Sequence, residues 1–160
     1  MGPPGVGREV EGPLTRAAKS SYPEGRIARR TLTVSKIPED LRYTKDHEWA
    51  RVEGRRATVG ITDFAQSELT DVVYVELPKI GKVVRAGEVL GNVESVKAAN
   101  EIFAPVSGKV VEVNKALEDS PEIVNQDAYG KGWMVVLEVA DANDVRNLMD
   151  APAYRKMIGE

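Results

Sequence analysis

The sequence predicts a mainly β fold, a sandwich or barrel of short strands with few helices and a helical C-terminus. Three observations predict it. Short β-prone runs separated by Gly, Pro and Asp recur from Glu48 onward. Apolar residues alternate at period two in Val73, Val75 and Leu77, which would bury one face and turn Tyr74 and Glu76 outward. Helical spacing is confined to one short internal segment and the chain end.

In chain order, residues 1–36 come first. Pro3, Pro4, Pro13 and Pro23 alternate there with glycines and no apolar periodicity lasts, so this segment is expected to be a disordered tail. Its Arg16, Lys19, Arg26, Arg29 and Arg30 suit a mitochondrial transit peptide, but Glu9, Glu11, Glu24 and the prolines spoil an acid-poor amphipathic helix. The preferred reading is an over-extended start, with the natural chain beginning near Val34-Ser35-Lys36-Ile37-Pro38. Residues 37–160 then form one domain.

The expected strands are Glu48 to Val52, Arg56 to Ile61, Val72 to Leu77, Val89 to Val93 and Lys109 to Val113. Between the second and third, Asp63 is the expected N-cap of a short helix, with Gln66 at N3. Near the end, Val145, Leu148 and Met149 fall at i, i+3 and i+4 behind a cap at Asp141 or Asn143. Pro152 is expected to stop that helix before a further turn through Tyr154 and Ile158. Gly81-Lys82-Val83-Val84 returns as Gly108-Lys109-Val110-Val111, with the midpoint at Val96 and Lys97. Two β halves joined through a hairpin would expose that midpoint at one end of the sandwich.

Composition bounds the chemistry. The 160 residues include no cysteine, which excludes disulfides, thiolate metal sites and a cysteine nucleophile. The net charge of −3 hides a split: residues 1–36 hold seven Lys or Arg against three Glu, giving +4 and leaving −7 for the rest. An acidic body argues against nucleic-acid binding, and no apolar run suits a membrane span. The single histidine, His47, has no second ligand nearby in sequence, so no metal is expected. Trp49 and Trp133 read as core aromatics, and the Gly-Lys pairs at Gly81 and Gly108 as turns rather than phosphate loops.

One stretch carries chemistry: Gly91-Asn92-Val93-Glu94-Ser95-Val96-Lys97-Ala98-Ala99-Asn100-Glu101-Ile102-Phe103-Ala104-Pro105-Val106-Ser107-Gly108. A strand rises to Lys97 and another leaves it. A lysine in a turn is ordinarily a solvated charge. A lysine meant for acylation needs a free amine, a tip that an enzyme can enclose and a rigid base, and a hairpin supplies all three. Amidation removes the charge and leaves a tethered arm that acts as a local, concentrated reagent.

The string Glu94-Ser95-Val96-Lys97-Ala98 followed by Ala104-Pro105-Val106-Ser107-Gly108 resembles the lipoylation signature of the glycine cleavage H proteins. Biotinyl domains carry Met on both sides of their lysine, and 2-oxoacid dehydrogenase lipoyl domains usually an Asp before it, where this chain has Val96. Tyr43-Thr44-Lys45-Asp46-His47-Glu48-Trp49, Gly60-Ile61-Thr62-Asp63-Phe64-Ala65-Gln66, Asp71-Val72-Val73-Tyr74-Val75-Glu76-Leu77-Pro78 and Tyr129-Gly130-Lys131-Gly132-Trp133 also look like H-protein segments, in the family's order. The resemblance covers roughly Ile37 to Glu160. It departs at Thr70, where the family commonly has Gly; if φ is positive there, Thr fits poorly and the turn is expected to differ.

The resemblance implies a lipoyl/biotinyl-type hybrid barrel-sandwich of two antiparallel sheets and a non-catalytic carrier with lipoate as an amide on Lys97. Its implied partners are the pyridoxal-phosphate glycine decarboxylase (P protein), the tetrahydrofolate-dependent aminomethyltransferase (T protein), the flavin dihydrolipoyl dehydrogenase (L protein) and the lipoate-attaching enzymes. A monomer in a bacterial cytoplasm is expected, or in the mitochondrial matrix were the tail a transit peptide. Because the cargo is a water-labile cation, a groove with an acidic partner for its ammonium is expected, with Glu48 first, Glu101 second, and His47 beside them. The ordinary reading of each carboxylate is a solvated surface charge.

Alternative readings remain: a lipoyl domain of a 2-oxoacid dehydrogenase, or a relay passing lipoyl or octanoyl groups to other proteins. An enzyme lacks the usual constellations, with one His, no Cys and no Gly-x-Ser-x-Gly elbow. An unmodified interaction module would leave Lys97 a free amine.

Overall fold

The computed structural model describes Ser35–Glu160. The expected tail, the transit-peptide reading and the alternative start at Val34 fall outside these residues, but for Ser35 and Lys36 at the tail's end.

β-Branched residues at alternating positions build short strands joined by tight turns. β1 (Arg42–Tyr43), β2 (Glu48–Glu53) and β3 (Arg56–Ile61) form an antiparallel meander. The β2–β3 turn needs a positive φ, supplied by Gly54 at +63°. After α1 (Asp63–Leu69) come β4 (Val72–Glu76), β5 (Val83–Val84), β6 (Val89–Ser95), β7 (Ala99–Phe103) and β8 (Gly108–Val113). Two single turns, α2 (Ala116–Asp119) and α3 (Ile123–Gln126), lead to β9 (Val135–Val139), then α4 (Ala142–Arg146) and α5 (Ala151–Met157).

The strands make two antiparallel sheets, one of six in the order β1-β2-β3-β9-β8-β5 and one of three in the order β4-β6-β7. Val59, Val84, Val110 and Leu137 of the first and Val75, Leu90 and Val93 of the second share one buried core. The pair does not close into a barrel. A second cluster, Ile37, Leu41, Tyr43, Trp49, Ala151 and Tyr154, lies under α5, where the Tyr43 and Tyr154 rings stack at 4.7 Å. Burying each of these aromatics contributes about 1.5–3 kcal/mol. Trp49 also donates its indole N–H to Ala128 O at 3.0 Å. Gly60 makes room for that indole: a Cβ there would lie 2.7 Å from the ring. Trp133 is half-buried against the same cluster.

The five strands expected by range are present, β7 is the expected strand that leaves Lys97, and three more were not expected. β1 and β5 have two residues each, too few for a period. β9 lies between β3 and β8 with four of its five residues buried, so its apolar run does not alternate.

Four local expectations are corrected. Val73 does not share the buried face of Val75: it is 52% exposed, because β4 slips register against β6 between Val72 and Tyr74 and buries Val72 instead. The cap of α1 is Thr62, whose Oγ1 accepts from Ala65 N at 3.1 Å, while Asp63 accepts from Gln66 Nε2 within the first turn. Pro152 does not stop a helix; it sits in the first turn of α5 behind the Asp150 cap, where a missing N–H costs nothing. α4, capped by Asp141, ends at Arg146 because Met149 exchanges backbone hydrogen bonds of 2.8 Å with Tyr43. The turn at Thr70 does not differ to suit its side chain either: Thr70 takes φ +63° and ψ −138°.

The internal repeat has a structural counterpart. Its two copies pair with each other, Val83 facing Lys109 and Val84 facing Gly108. The two glycines are required for different reasons: Gly81 has φ +98°, and a Cβ on Gly108 would meet Glu138 O at 2.3 Å.

Candidate functional site

Strands β6 and β7 form a hairpin in which Glu94 faces Ala99, leaving Val96 and Lys97 at its end. Both tip residues are exposed, Val96 at 69%. Neither residue has positive φ, so L side chains fit without strain. Ser95 organises the turn. Its N–H donates to Ala98 O at 2.7 Å, and its hydroxyl accepts from Lys97 N at 3.2 Å and Ala98 N at 3.1 Å. That hydroxyl also donates to Ala98 O at 3.2 Å. Val96 N donates to Asp71 O at 3.1 Å, tying the tip to the residue before β4. Each peptide N–H of the tip therefore has a partner, and the lysine amine projects from a braced base. Glu94 is exposed and Ala98 half-buried against the core.

A groove of roughly 740 Å³ runs along β7. One wall is Ala99 to Phe103; the other is the turn Lys45-Asp46-His47 and the face of α1 carrying Phe64, Ala65, Glu68 and Leu69. Three carboxylates line it, those of Asp46, Glu68 and Glu101, against one amine, that of Lys45. Its floor includes Ile61, Ile102 and Leu69, which are buried. The groove therefore offers an apolar bed with a net negative rim.

Of the expected groove residues, the structure brings His47 and Glu101 together and turns Glu48 away. Glu101 is exposed on the β7 wall. His47 is half-buried at φ +72°, its ring 4.9 Å from that of Phe64 and its Nδ1 2.8 Å from Tyr154 Oη. Burial pushes its pKa down, against the opposing pull of Asp46 and Glu68. Glu48 is neither a groove-wall carboxylate nor a solvated one: it is 1% exposed, and its oxygens accept from Thr44 Oγ1 and from Phe103 N at 3.1 Å. His47 is a left-handed bend just before β2, and Glu48, the first residue of that strand, turns its carboxylate to Thr44 and Phe103 rather than into the groove. It borders a smaller hollow beside Ala86, Pro105 and Met149. Burial raises its pKa to about 7, although both donors favour the charged form.

The sequence reading missed Asp46 and Glu68 as groove residues. Glu68 follows Phe64 by one helical turn, a spacing that puts both on one face once α1 is known to border the groove. Asp46 had no such signal, because its position depends on the left-handed residue that follows it. Among the described residues no three His, Asp or Glu side chains gather to hold a metal ion, and no helix is long and apolar enough to cross a membrane.

Comparison with known proteins agrees with this geometry. Residues 41–160 match the family model described as "Glycine cleavage H-protein". The glycine cleavage system H protein of Anaeromyxobacter sp. (strain K) is 58% identical over 124 residues, covering 78% of this chain and 97% of that protein. That of Bacillus subtilis (strain 168) is 54% identical over 124 residues, covering 78% of this chain and 98% of the relative. Among solved structures, the crystal structure of a glycine cleavage system H protein from Mycobacterium marinum superposes with a TM-score of 0.72 at 40% identity. It covers 78% of this chain and 100% of that one.

Proposed function

Since the chain belongs to the glycine cleavage H-protein family, we propose that it carries lipoate as an amide on Lys97 and moves the aminomethyl group of glycine from the P-protein decarboxylase to the T-protein transferase. The observation that carries this reading is the exposed amine on a braced two-residue tip with an acidic, apolar-floored groove leading away from it. The residues present fit the group: the amine is open to a modifying enzyme, and the groove begins at Ala99, two residues beyond it. When attached, lipoate supplies the sulfur chemistry that this cysteine-free chain lacks.

The protein's own residues do the rest. Ser95 and the bond to Asp71 fix the base of the arm, so that its reach is defined. Glu101, Asp46 and Glu68 attract a cationic cargo into the groove and away from bulk water. Glu48 backs the wall from the far side and adds its charge above about pH 7. No acid-base residue acts on the cargo, so the chain is a non-catalytic carrier. Its partners are the P, T and L proteins and the lipoate-attaching enzymes, and it works as a monomer in the cytoplasm, as one domain over residues 37–160.

Intact-mass measurement of protein from a lipoate-replete cell tests the reading. Wild type should gain one lipoyl group and Lys97→Arg none. Wild-type protein that stays unmodified, or a Lys97→Arg variant modified to the same extent, would overturn it.

A further inference from the structure

The groove wall contains a hydrogen-bond chain whose direction can be deduced. Tyr154 Oη lies 2.8 Å from Thr62 Oγ1 on one side and 2.8 Å from His47 Nδ1 on the other. Thr62 is fully buried, and its Oγ1 already accepts from Ala65 N. Were the tyrosine hydroxyl to donate to Thr62, the threonine proton would have no acceptor among the described residues, a buried donor left unsatisfied. In the other direction every group is served. Thr62 donates to Tyr154, Tyr154 donates to His47 Nδ1, and the imidazole proton resides on Nε2.

Nothing else on the ring is free. Its face rests on Phe64, its backbone N–H donates to Thr44 O at 3.2 Å and its backbone O accepts from Thr62 N at 2.9 Å. His47 is held in the left-handed region, with φ +72°, by contacts on every side. Among the described residues Nε2 has no protein partner, and His47 lines the groove.

The position of His47 along the groove says what it meets. Glu48, the next residue, accepts from Phe103 N, so His47 lies level with the far end of β7. His47 and the strand that leaves the lysine, Ala99 to Phe103, line the same groove. An amide on the lysine amine stays near the tip, beside Asn100 and Glu101. Only the distal, sulfur-bearing end of an extended arm reaches the level of His47.

We propose that the Thr62–Tyr154–His47 chain fixes the single histidine as its neutral Nε2–H tautomer, and that this N–H is a donor for the sulfur end of the arm in the groove. His47 is then a binding residue, while Tyr154 and Thr62 are positioning residues. A neutral donor complements the carboxylates: they attract the cation, and His47 addresses an uncharged acceptor without repelling it. The lowered pKa agrees, since a proton on Nδ1 must reverse the chain and strand the threonine hydroxyl. The charged groups around the ring are Asp46 and Lys45 in its own turn, Glu68 on α1 and Glu101 across the groove, and Tyr154 comes from α5.

The inference rests on the carrier reading for its ligand but not for its tautomer, so the two can fail separately. With one histidine in the chain, a long-range ¹H–¹⁵N correlation spectrum of labelled protein gives an unambiguous imidazole pattern. The unmodified protein should show the Nε2–H tautomer at pH 7.5, and Tyr154→Phe should introduce the other tautomer and raise the imidazole pKa. An Nδ1–H tautomer in wild type, or an unchanged pattern in Tyr154→Phe, would overturn the chain.

The arm is tested on protein whose lipoylation is verified by mass. It is reduced and then loaded with formaldehyde and ammonia, which add CH₂NH₂ to one sulfur with release of water. Loading should shift the Nε2 resonance. His47→Ala should hasten loss of the cargo about fivefold, the value of one neutral hydrogen bond, and His47→Gln should restore part of it. A stationary resonance in fully loaded protein would refute the contact and leave the carrier role standing.

Discussion

Thr70 illustrates what one residue can cost. Its φ of +63° with ψ of −138° belongs to a region that only glycine enters freely, and an L side chain there costs on the order of 1–3 kcal/mol. The strain is held because Thr70 N donates to Gln66 O at 3.1 Å and Thr70 O accepts from Asn125 Nδ2 at 2.6 Å. Replacing it by glycine relieves the backbone while adding freedom to the unfolded chain, so Thr70→Gly should stabilise the protein by about 1 kcal/mol. Urea unfolding should show the midpoint rising; a fall would mean that the turn carries no strain. The sequence pointed to this residue through the family's usual glycine but not to the outcome, because flanking hydrogen bonds set the backbone. Thr62 escaped notice for a related reason: Asp63 is an equally good cap by residue type, and only the geometry of the preceding strand decides between them.

Among the elements, the β6–β7 hairpin depends on Ser95 for its end. One hydroxyl serves two amide donors and one carbonyl, so Ser95→Ala leaves two N–H groups of the tip without their partner. The tip is exposed and water can replace those bonds, so unfolding should shift by no more than about 1 kcal/mol. Presentation of the lysine should suffer more. A time course of intact mass with purified lipoate-attaching enzyme should show Ser95→Ala modified severalfold more slowly and Ser95→Thr near wild type. Equal rates for all three would mean that the turn needs no brace. The hairpin was legible from Gly91 to Gly108 because a turn between two strand-like runs flanks Lys97. Strand β4 was legible in place but not in register, since a one-residue bulge leaves no mark in an alternating pattern and reverses which of Val72 and Val73 is buried.

At the scale of the whole molecule, the two sheets are joined through a buried carboxylate. Glu48 belongs to the six-stranded sheet and accepts from Phe103 N of the three-stranded one. Its folded pKa is raised from 4.5 to about 7, so the folded state binds a proton more tightly than the unfolded chain. The stabilising contribution is therefore complete below about pH 4.5 and lost as pH rises through about 7, up to about 3 kcal/mol in all. Glu48→Gln, neutral throughout, should flatten this dependence. Denaturant unfolding at pH 5 and pH 8 should show wild type losing more stability than the variant across that interval. A parallel loss in both would remove Glu48 as the source. The fold class and the hairpin that turns at Lys97 could be read from the chain because they depend on periodicity and a contiguous motif. The inward turn of Glu48 and the acidic face of α1 depend on how distant segments meet, which no local pattern encodes.

The mutual pairing of Gly81–Val84 with Gly108–Val111, outside a hairpin that turns at Lys97, has a kinetic consequence. The pairs that this stretch makes with itself are all close in sequence, so it can zip outward from its own bend at little entropic cost, whereas β3 and the other edge of β8 must await β9 from near the end of the chain. During synthesis the bend at Lys97 can thus take shape before the C-terminal helix has left the ribosome.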